Sequence, residues 1–150
     1  MNPYFDTEEK VVALWQAARH WENTPFVAHA ALPGAGVDCV HLCAEIYKES
    51  GFWSKYELPR YTLDAGRHLR VSQVLAWLLS HPSFASAPSD QPLHAGDLLA
   101  LKWDHVEHHV AIYLGEGTLV HCRKRLGVHF SPAKDHCRFL THIFRPLSHV

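Results

Sequence analysis

Apolar side chains recur at helical spacing in three stretches of the first half of the chain. Asp6 and Glu9 precede the earliest stretch with the spacing of a capping box. The central stretch begins at Asp38, a favoured N-cap type, and Gly51 closes it as a C′ residue. The predicted helices cover residues 7–21, the segment from Asp38 to just before Gly51, and Val71–Ser80.

From Ala95 onward, short apolar runs separated by polar turns replace the helical spacing. Connections this short predict antiparallel neighbours in a meander. Residues 52–68 are predicted to form a long loop, and the Pro/Ser-rich residues 81–92 a surface connector. The predicted strands are DLLALKW (97–103), HHVAIYLG (108–115), TLVHC (118–122), GVHF (127–130) and RFLTHIFRP (138–146).

Helices followed by strands predict an α+β fold, with the helix after Asp38 packed on one face of an antiparallel sheet of about five strands. The 150 residues, 47% hydrophobic and 19% charged, suit one globular domain spanning residues 1–150. A net charge of -1 argues against a nucleic-acid partner. No segment has the pattern of a signal peptide or a membrane span, so we expect a cytoplasmic protein with four free thiols and no membrane partner.

Cys39 is the first candidate for chemistry, because it would lie in the first turn of the helix that Asp38 caps. Unpaired amides and the helix dipole at such a position favour a thiolate, the form in which cysteine is a nucleophile. Cys43 lies one turn further and is predicted to be a core residue, as buried cysteines commonly are.

A cysteine nucleophile needs a base, and the base needs a polar group that orients its ring. His109 begins one predicted strand and His121 ends the next, and the connection at Gly115 to Gly117 makes these strands neighbours. Their even separation puts both side chains on one face of the sheet. We therefore predict that His109 is the base and His121 the orienting residue. The histidines with weaker claims are His105, His108, His129, His136 and His142.

A metal site is the competing interpretation of the fourteen histidines. His105 and His109 are four residues apart, and His121 with Cys122 would supply two more donors for a tetrahedral site. However, His121 and Cys122 are adjacent in a strand and point to opposite faces, and no CxxC or HExxH motif is present. The sequence therefore predicts no metal and no other cofactor.

Several motifs in order resemble those of the NlpC-type cell-wall cysteine peptidases, papain-like hydrolases that cut peptides of bacterial peptidoglycan. The resemblance implies a papain-like fold, Cys39 as nucleophile, His109 as general base and His121 as the orienting residue. It also implies a peptidoglycan-derived peptide as substrate. With a Trp before the TP pair, the chain most resembles phage or prophage members of the family. Such a protein would reach the cell wall as part of a phage-like tail assembly. The motifs are TPF, GVDCVHL, HAGDLLAL, HHVAIYLG, LVHC and the closing FRP.

The chain departs from the family pattern at the front of the site. Phe26 stands where the family usually has Tyr, whose hydroxyl is implied in substrate or oxyanion contacts, and Val40 and His41 replace small residues after the nucleophile. These changes put the family's usual specificity for a D-glutamyl linkage in doubt. We predict substrate contacts from Phe26, Asp38, Val40 and His108, the last through its backbone more than its ring.

Two other functions remain open from the sequence. A catalytically silent protein would keep the fold as a peptidoglycan-binding module or a phage-tail structural protein. A thioester-forming acyltransferase would use the same style of site and transfer the acyl group to an amine or alcohol.

Overall fold

The computed structural model describes residues 2–64, 68–69, 71–103 and 107–148. Within these ranges the chain forms helices, strands and two short 3-10 helices in the order predicted for an α+β fold. The helices are α1 (Glu8–Trp21), α2 (Cys39–Glu49) and α3 (Val71–Ser80). The strands are β1 (Ala31–Leu32), β2 (Gly36–Val37), β3 (Leu63–Asp64), β4 (His68–Leu69), β5 (Phe84–Ala87), β6 (Leu98–Trp103), β7 (Glu107–Gly115), β8 (Thr118–Arg123), β9 (Gly127–Pro132) and β10 (Leu140–Pro146).

The ends of the helices follow local capping chemistry. The predicted cap of α2 is confirmed, because the Asp38 carboxylate accepts a hydrogen bond from the His41 amide at 2.8 Å and Gly51 follows with φ of +90°. The predicted capping box of α1 is wrong. Thr7 is the N-cap and its hydroxyl accepts from the Lys10 amide, while Asp6 lies outside the helix and pairs with the Lys10 ammonium.

The main sheet has six antiparallel strands in the order β5-β10-β6-β7-β8-β9, not the five expected. The additional strand is β5, which lies inside the predicted surface connector. Its sequence FASA carries little alternation, and its ladder is made with β10, almost sixty residues later. Part of the predicted loop of residues 52–68 also differs, because β3 pairs with β4.

The predicted meander is confirmed for β6 to β9, but β10 is placed differently. It does not lie beside β9. Two 3-10 helices, Ala133–Asp135 and Cys137–Phe139, lead into it, and it pairs with β5 on one side and β6 on the other. A register shift between Leu140 and His142 accompanies its entry into the sheet.

Alternation along the strands gives the sheet two buried faces. The first face packs against α1 and α2 in the larger core cluster, with Val110, Val120 and Cys122 among its members. The second face carries Leu101 and Ala111, covered from the side of the 3-10 helices. Since His109 pairs with Leu101 and alternates with Val110, its side chain belongs to the second face.

Candidate active site

Cys39 is the first residue of α2, and its side chain lies against strand β7. The backbone amide of Val110 acts on the thiol as a hydrogen-bond donor, so the sulfur meets the sheet one residue from His109. Asp38 holds the start of α2 in place, because its backbone oxygen accepts from the Leu42 amide at 2.9 Å while its carboxylate binds the His41 amide. The first-turn amides of Cys39 and Val40 are then left without intrahelical acceptors.

The structure brings the two predicted histidines together. His109 Nε2 lies 2.9 Å from His121 Nδ1, and the ring centroids are 5.0 Å apart at 63°. The register of β7 and β8 explains this contact, because Ile112 pairs with Val120 and the ladder carries His109 and His121 onto the same face. Of the two nitrogens of His109, Nε2 is therefore the one that faces His121.

In the described part of the chain, no hydrogen bond joins the Cys39 thiol to an imidazole; the link between Cys39 and His109 runs through the backbone of β7. Cys39 is 4% exposed and His109 9% exposed, so substrate must approach along a narrow opening. The catalytic roles of Cys39, His109 and His121 stay predictions. The arrangement of the three residues is compatible with those roles.

Burial dominates the electrostatics of both groups. Burial and the negative charge of Asp38 raise the pKa of the Cys39 thiol, and the amide of Val110 offsets this only in part. Burial, followed by the positive charge of Arg123, lowers the pKa of His109 to about 3. The resting pair is therefore a neutral thiol and a neutral imidazole. This differs from the thiolate expected at a helix start, because desolvation outweighs the dipole.

A second polar cluster surrounds Asp38, whose carboxylate is fully buried. Asp38 Oδ2 accepts from the His29 amide at 2.8 Å and from the Tyr61 hydroxyl at 2.5 Å. His41 Nδ1 lies 2.6 Å from the same hydroxyl and 3.1 Å from Asp38 Oδ1. Burial raises the pKa of Asp38, but the hydrogen bonds from His41 and Tyr61 outweigh it and bring this pKa below its ordinary value.

The four predicted substrate contacts have different surroundings. Phe26 is half-buried, and its backbone forms a bridge to Val37, directly before Asp38. Val40 is buried in the core beside Cys43, so any substrate contact of this residue comes from its backbone. The backbone of His108 lies in β7, and its side chain is not among those described. All four remain predictions, with Asp38 enclosed by its own hydrogen bonds.

The donors of the competing metal interpretation, among them His121 and Cys122, are placed differently from what a metal site needs. His121 and Cys122 point to opposite faces, since the Cys122 thiol donates to the Val37 carbonyl at 3.4 Å on the α2 side. Burial and then Asp38 raise the pKa of that thiol to about 12. His105 lies outside the described residues. Within the part of the chain that the structure describes, no three His, Cys, Asp or Glu side chains are arranged to hold a metal ion.

Sequence reasoning missed two residues that contact the site. Ser131 Oγ lies 2.7 Å from His121 Nε2, and Tyr61 binds Asp38. The predicted strand GVHF ended one residue before Ser131, although extending the alternation would have put Ser131 on the same face as His129 and His121. No local signal marks Tyr61, because its position depends on how residues 52–62 close over α2.

The fold and this site define a class: α+β proteins in which a cysteine at a helix start meets an antiparallel sheet that carries two hydrogen-bonded histidines. A family model described as the NlpC/P60 family matches residues 19–141. The chain belongs to the NlpC/P60 family, as the resemblance predicted. None of the curated protein sequences compared matches the chain.

Solved structures show the same fold. An NLP/P60 family protein of Staphylococcus aureus, similar to a lipoprotein, superimposes with a TM-score of 0.64 at 21% identity, over 99% of this chain and 45% of its own. The NlpC/p60 domain of the peptidoglycan hydrolase SagA gives 0.57 at 21% identity, over 89% and 96%. A Bacillus cereus family member gives 0.61 at 20% identity, over 92% and 40%. This chain thus spans less than half of the first of these proteins.

Across the described residues, none of the helices combines the length and apolar character that crossing a membrane requires.

Proposed function

We propose that this protein is a cysteine hydrolase that cleaves amide bonds in peptidoglycan-type peptides. The observation that carries the proposal is the hydrogen bond between His109 and His121, one residue along β7 from the Val110 amide that meets the Cys39 thiol. Membership of the NlpC/P60 family supports it, and so does the likeness to the NlpC/p60 domain of the peptidoglycan hydrolase SagA.

The first step is proton transfer with attack on the substrate. His109 takes the thiol proton of Cys39 at Nδ1 as the sulfur attacks the amide carbonyl, so a C–S bond forms and the carbonyl oxygen becomes an oxyanion. The amides of Cys39 and Val40 at the start of α2 are placed to donate to that oxyanion.

Collapse of the oxyanion breaks the C–N bond, and the His109 imidazolium gives its proton to the leaving amine. A thioester on Cys39 results. Water, deprotonated by His109, then attacks the thioester, and the thiolate leaves and recovers the proton, which restores the neutral pair. Because both groups are neutral at rest, proton transfer is coupled to formation of the C–S bond, so that the negative charge develops on the oxyanion and not on a free thiolate.

Cleavage of defined muropeptides followed by mass spectrometry tests the proposal. Wild type is expected to give two product masses that sum to the substrate plus one water, whereas Cys39→Ala gives none. The matched control is Cys137→Ala, which removes an exposed thiol whose bond is to the Ala133 carbonyl and should retain activity. Full activity of Cys39→Ala would refute the assignment. A product carrying an added amine or alcohol would favour the acyltransferase alternative.

One observation favours a second candidate, a peptidoglycan-binding module without turnover: the raised pKa and burial of Cys39. Calorimetric titration of a muropeptide distinguishes the two. Binding by the wild type, with the ligand recovered uncut after prolonged incubation, would support the module.

A further inference from the structure

The His109–His121 pair continues into a third side chain. His121 uses Nδ1 toward His109 Nε2 at 2.9 Å and Nε2 toward Ser131 Oγ at 2.7 Å. We propose that Ser131 is a positioning residue that fixes the tautomer of His121, and through it the nitrogen of His109 that accepts the thiol proton. This inference rests on the proposed function, which requires His109 to accept the thiol proton at Nδ1.

The protons on the two rings can be counted. A neutral imidazole has one N–H donor and one acceptor nitrogen. For His109 to accept a proton at Nδ1, its own proton must be on Nε2 and must be donated to His121 Nδ1. His121 Nδ1 is then an acceptor, so the proton of His121 is on Nε2. That proton needs an acceptor, and Ser131 Oγ is the group at 2.7 Å.

The opposite assignment would prevent base catalysis. If His121 carried its proton on Nδ1, it would donate to His109 Nε2, and the proton of His109 would be on Nδ1, the nitrogen required for the thiol. The Ser131 hydroxyl would then donate to His121 Nε2. A hydroxyl can play either part. The requirement that His109 accept a proton at Nδ1 selects the state in which Ser131 Oγ accepts from His121 Nε2, and the position of Ser131 keeps its hydroxyl at that nitrogen.

Strand pairing fixes that position. Ser131 pairs with Leu119 in the ladder between β8 and β9, two positions along from the pair formed by His121 and His129 and therefore on the same face. Just beyond Ser131, the amide of Ala133 donates to the Gly117 carbonyl at 2.8 Å. The hydroxyl is therefore attached to backbone held at both ends of the strand segment.

The surroundings keep His121 in the neutral form that this relay requires, since an imidazolium would donate from both nitrogens and could not accept from His109. The charged and titratable groups facing it are His109 from β7, Arg123 from β8, His129 from β9 and His136 from the segment between the 3-10 helices. The rings of His129 and His136 lie 4.4 and 5.1 Å from its centroid. Burial and then these neighbours lower the pKa of His121.

The test compares Ser131→Ala and Ser131→Thr with Thr118→Val as the matched control. Thr118 is on β8, and its hydroxyl donates to the nearby Glu116 carbonyl, away from the histidines. Nitrogen-15 NMR of histidine-labelled protein reports the tautomer of each ring without requiring activity. We expect His121 to be protonated on Nε2 in the wild type, in Ser131→Thr and in Thr118→Val, and to shift toward Nδ1 protonation in Ser131→Ala.

Kinetics give the second readout. We expect Ser131→Ala to lower kcat about tenfold or more with KM unchanged, and Ser131→Thr to restore it, by analogy with the loss found when a group that orients a histidine is removed. A wild-type His121 protonated on Nδ1, or an unchanged tautomer and kcat in a folded Ser131→Ala, would overturn the inference. Full activity of Cys39→Ala would instead refute the hydrolase proposal and leave the tautomer result standing.

Discussion

Replacing Asp38 with alanine is expected to destabilise the protein more than any other single truncation at the front of α2. The side chain is fully buried and accepts from the His41 amide, the His29 amide and the Tyr61 hydroxyl. Loss of an N-cap costs about 1–2 kcal/mol. The buried Tyr61 hydroxyl keeps the His41 ring as a partner but loses its bond to the carboxylate, and the amide of the exposed His29 can turn to water, so these two contacts together add about 1–3 kcal/mol. The carboxylate's own desolvation is relieved, so the expected loss in the free energy of unfolding is about 2–4 kcal/mol.

Urea denaturation followed by far-UV circular dichroism measures this loss at pH 7. Asp38→Asn keeps a good capping acceptor and should lose roughly 1–2 kcal/mol, mainly at the Tyr61 contact. In a double-mutant cycle, Tyr61→Phe should cost less in the Asp38→Ala background than in the wild type, because the hydroxyl has already lost its bond to Asp38 there. Asp6→Ala is the control, since its exposed ion pair with Lys10 should be worth below about 0.5 kcal/mol.

The pH dependence gives an independent check. The folded-state pKa of Asp38 is lowered, so its contribution is fully present above the unfolded value of about 3.9 and is lost as the pH falls through the folded value. The difference between wild type and Asp38→Ala should therefore narrow below about pH 4. A loss under about 1 kcal/mol at pH 7, or a difference that grows on acidification, would refute the reasoning.

Three further outcomes are expected. In urea denaturation, Gly127→Ala should lower the free energy of unfolding by roughly 3 kcal/mol or more, and Gly117→Ala by about 1–2 kcal/mol. Both glycines have φ of +69°, but only at Gly127 would an added Cβ lie 2.4 Å from the Thr24 carbonyl oxygen. Equal losses for the two variants would contradict the predicted clash. With the His109 pKa at about 3, kcat/KM should stay level from pH 8 to about 5, and a fall near 6.5 would show an ionised pair at rest. The folded-state pKa values of His109 and His121 are both lowered, so the unfolded chain binds these two protons more readily below about pH 6.5. The free energy of unfolding should therefore be constant above about pH 6.5 and fall below it by about 1.4 kcal/mol per pH unit for each histidine. His121→Gln should reduce that slope by about 1.4 kcal/mol per pH unit.

Local chemistry made α2 and α3 predictable from the sequence. Asp38 and Gly51 mark the two ends of α2, and its apolar spacing identifies the face that packs on the sheet. At α1 the same reasoning placed the cap one residue early, because Asp6 and Thr7 are both favoured N-cap types and the sequence does not show which one adopts the extended backbone.

Non-local pairing explains what the sequence did not reveal. The segment FASA became β5 only through its ladder with β10, and β10 lies inside the sheet, second from one edge, instead of at an edge beside β9. At the site, Cys39, His109 and His121 have local signals: a helix start and two strand ends. Ser131 and Tyr61 have none of comparable strength, since one depends on the β8–β9 register and the other on a closing loop.

The position of β10 also bears on the order in which the protein can be completed during synthesis. The neighbours of β10, β5 and β6, are made first, and neither can form its ladder with β10 until residues 140–146 leave the ribosome. Until then β6 presents an unpaired backbone edge, the kind of surface on which chains aggregate. The candidate active-site hairpin of β7 and β8 is complete earlier, so a nascent chain would hold its histidines in register while its sheet is still open.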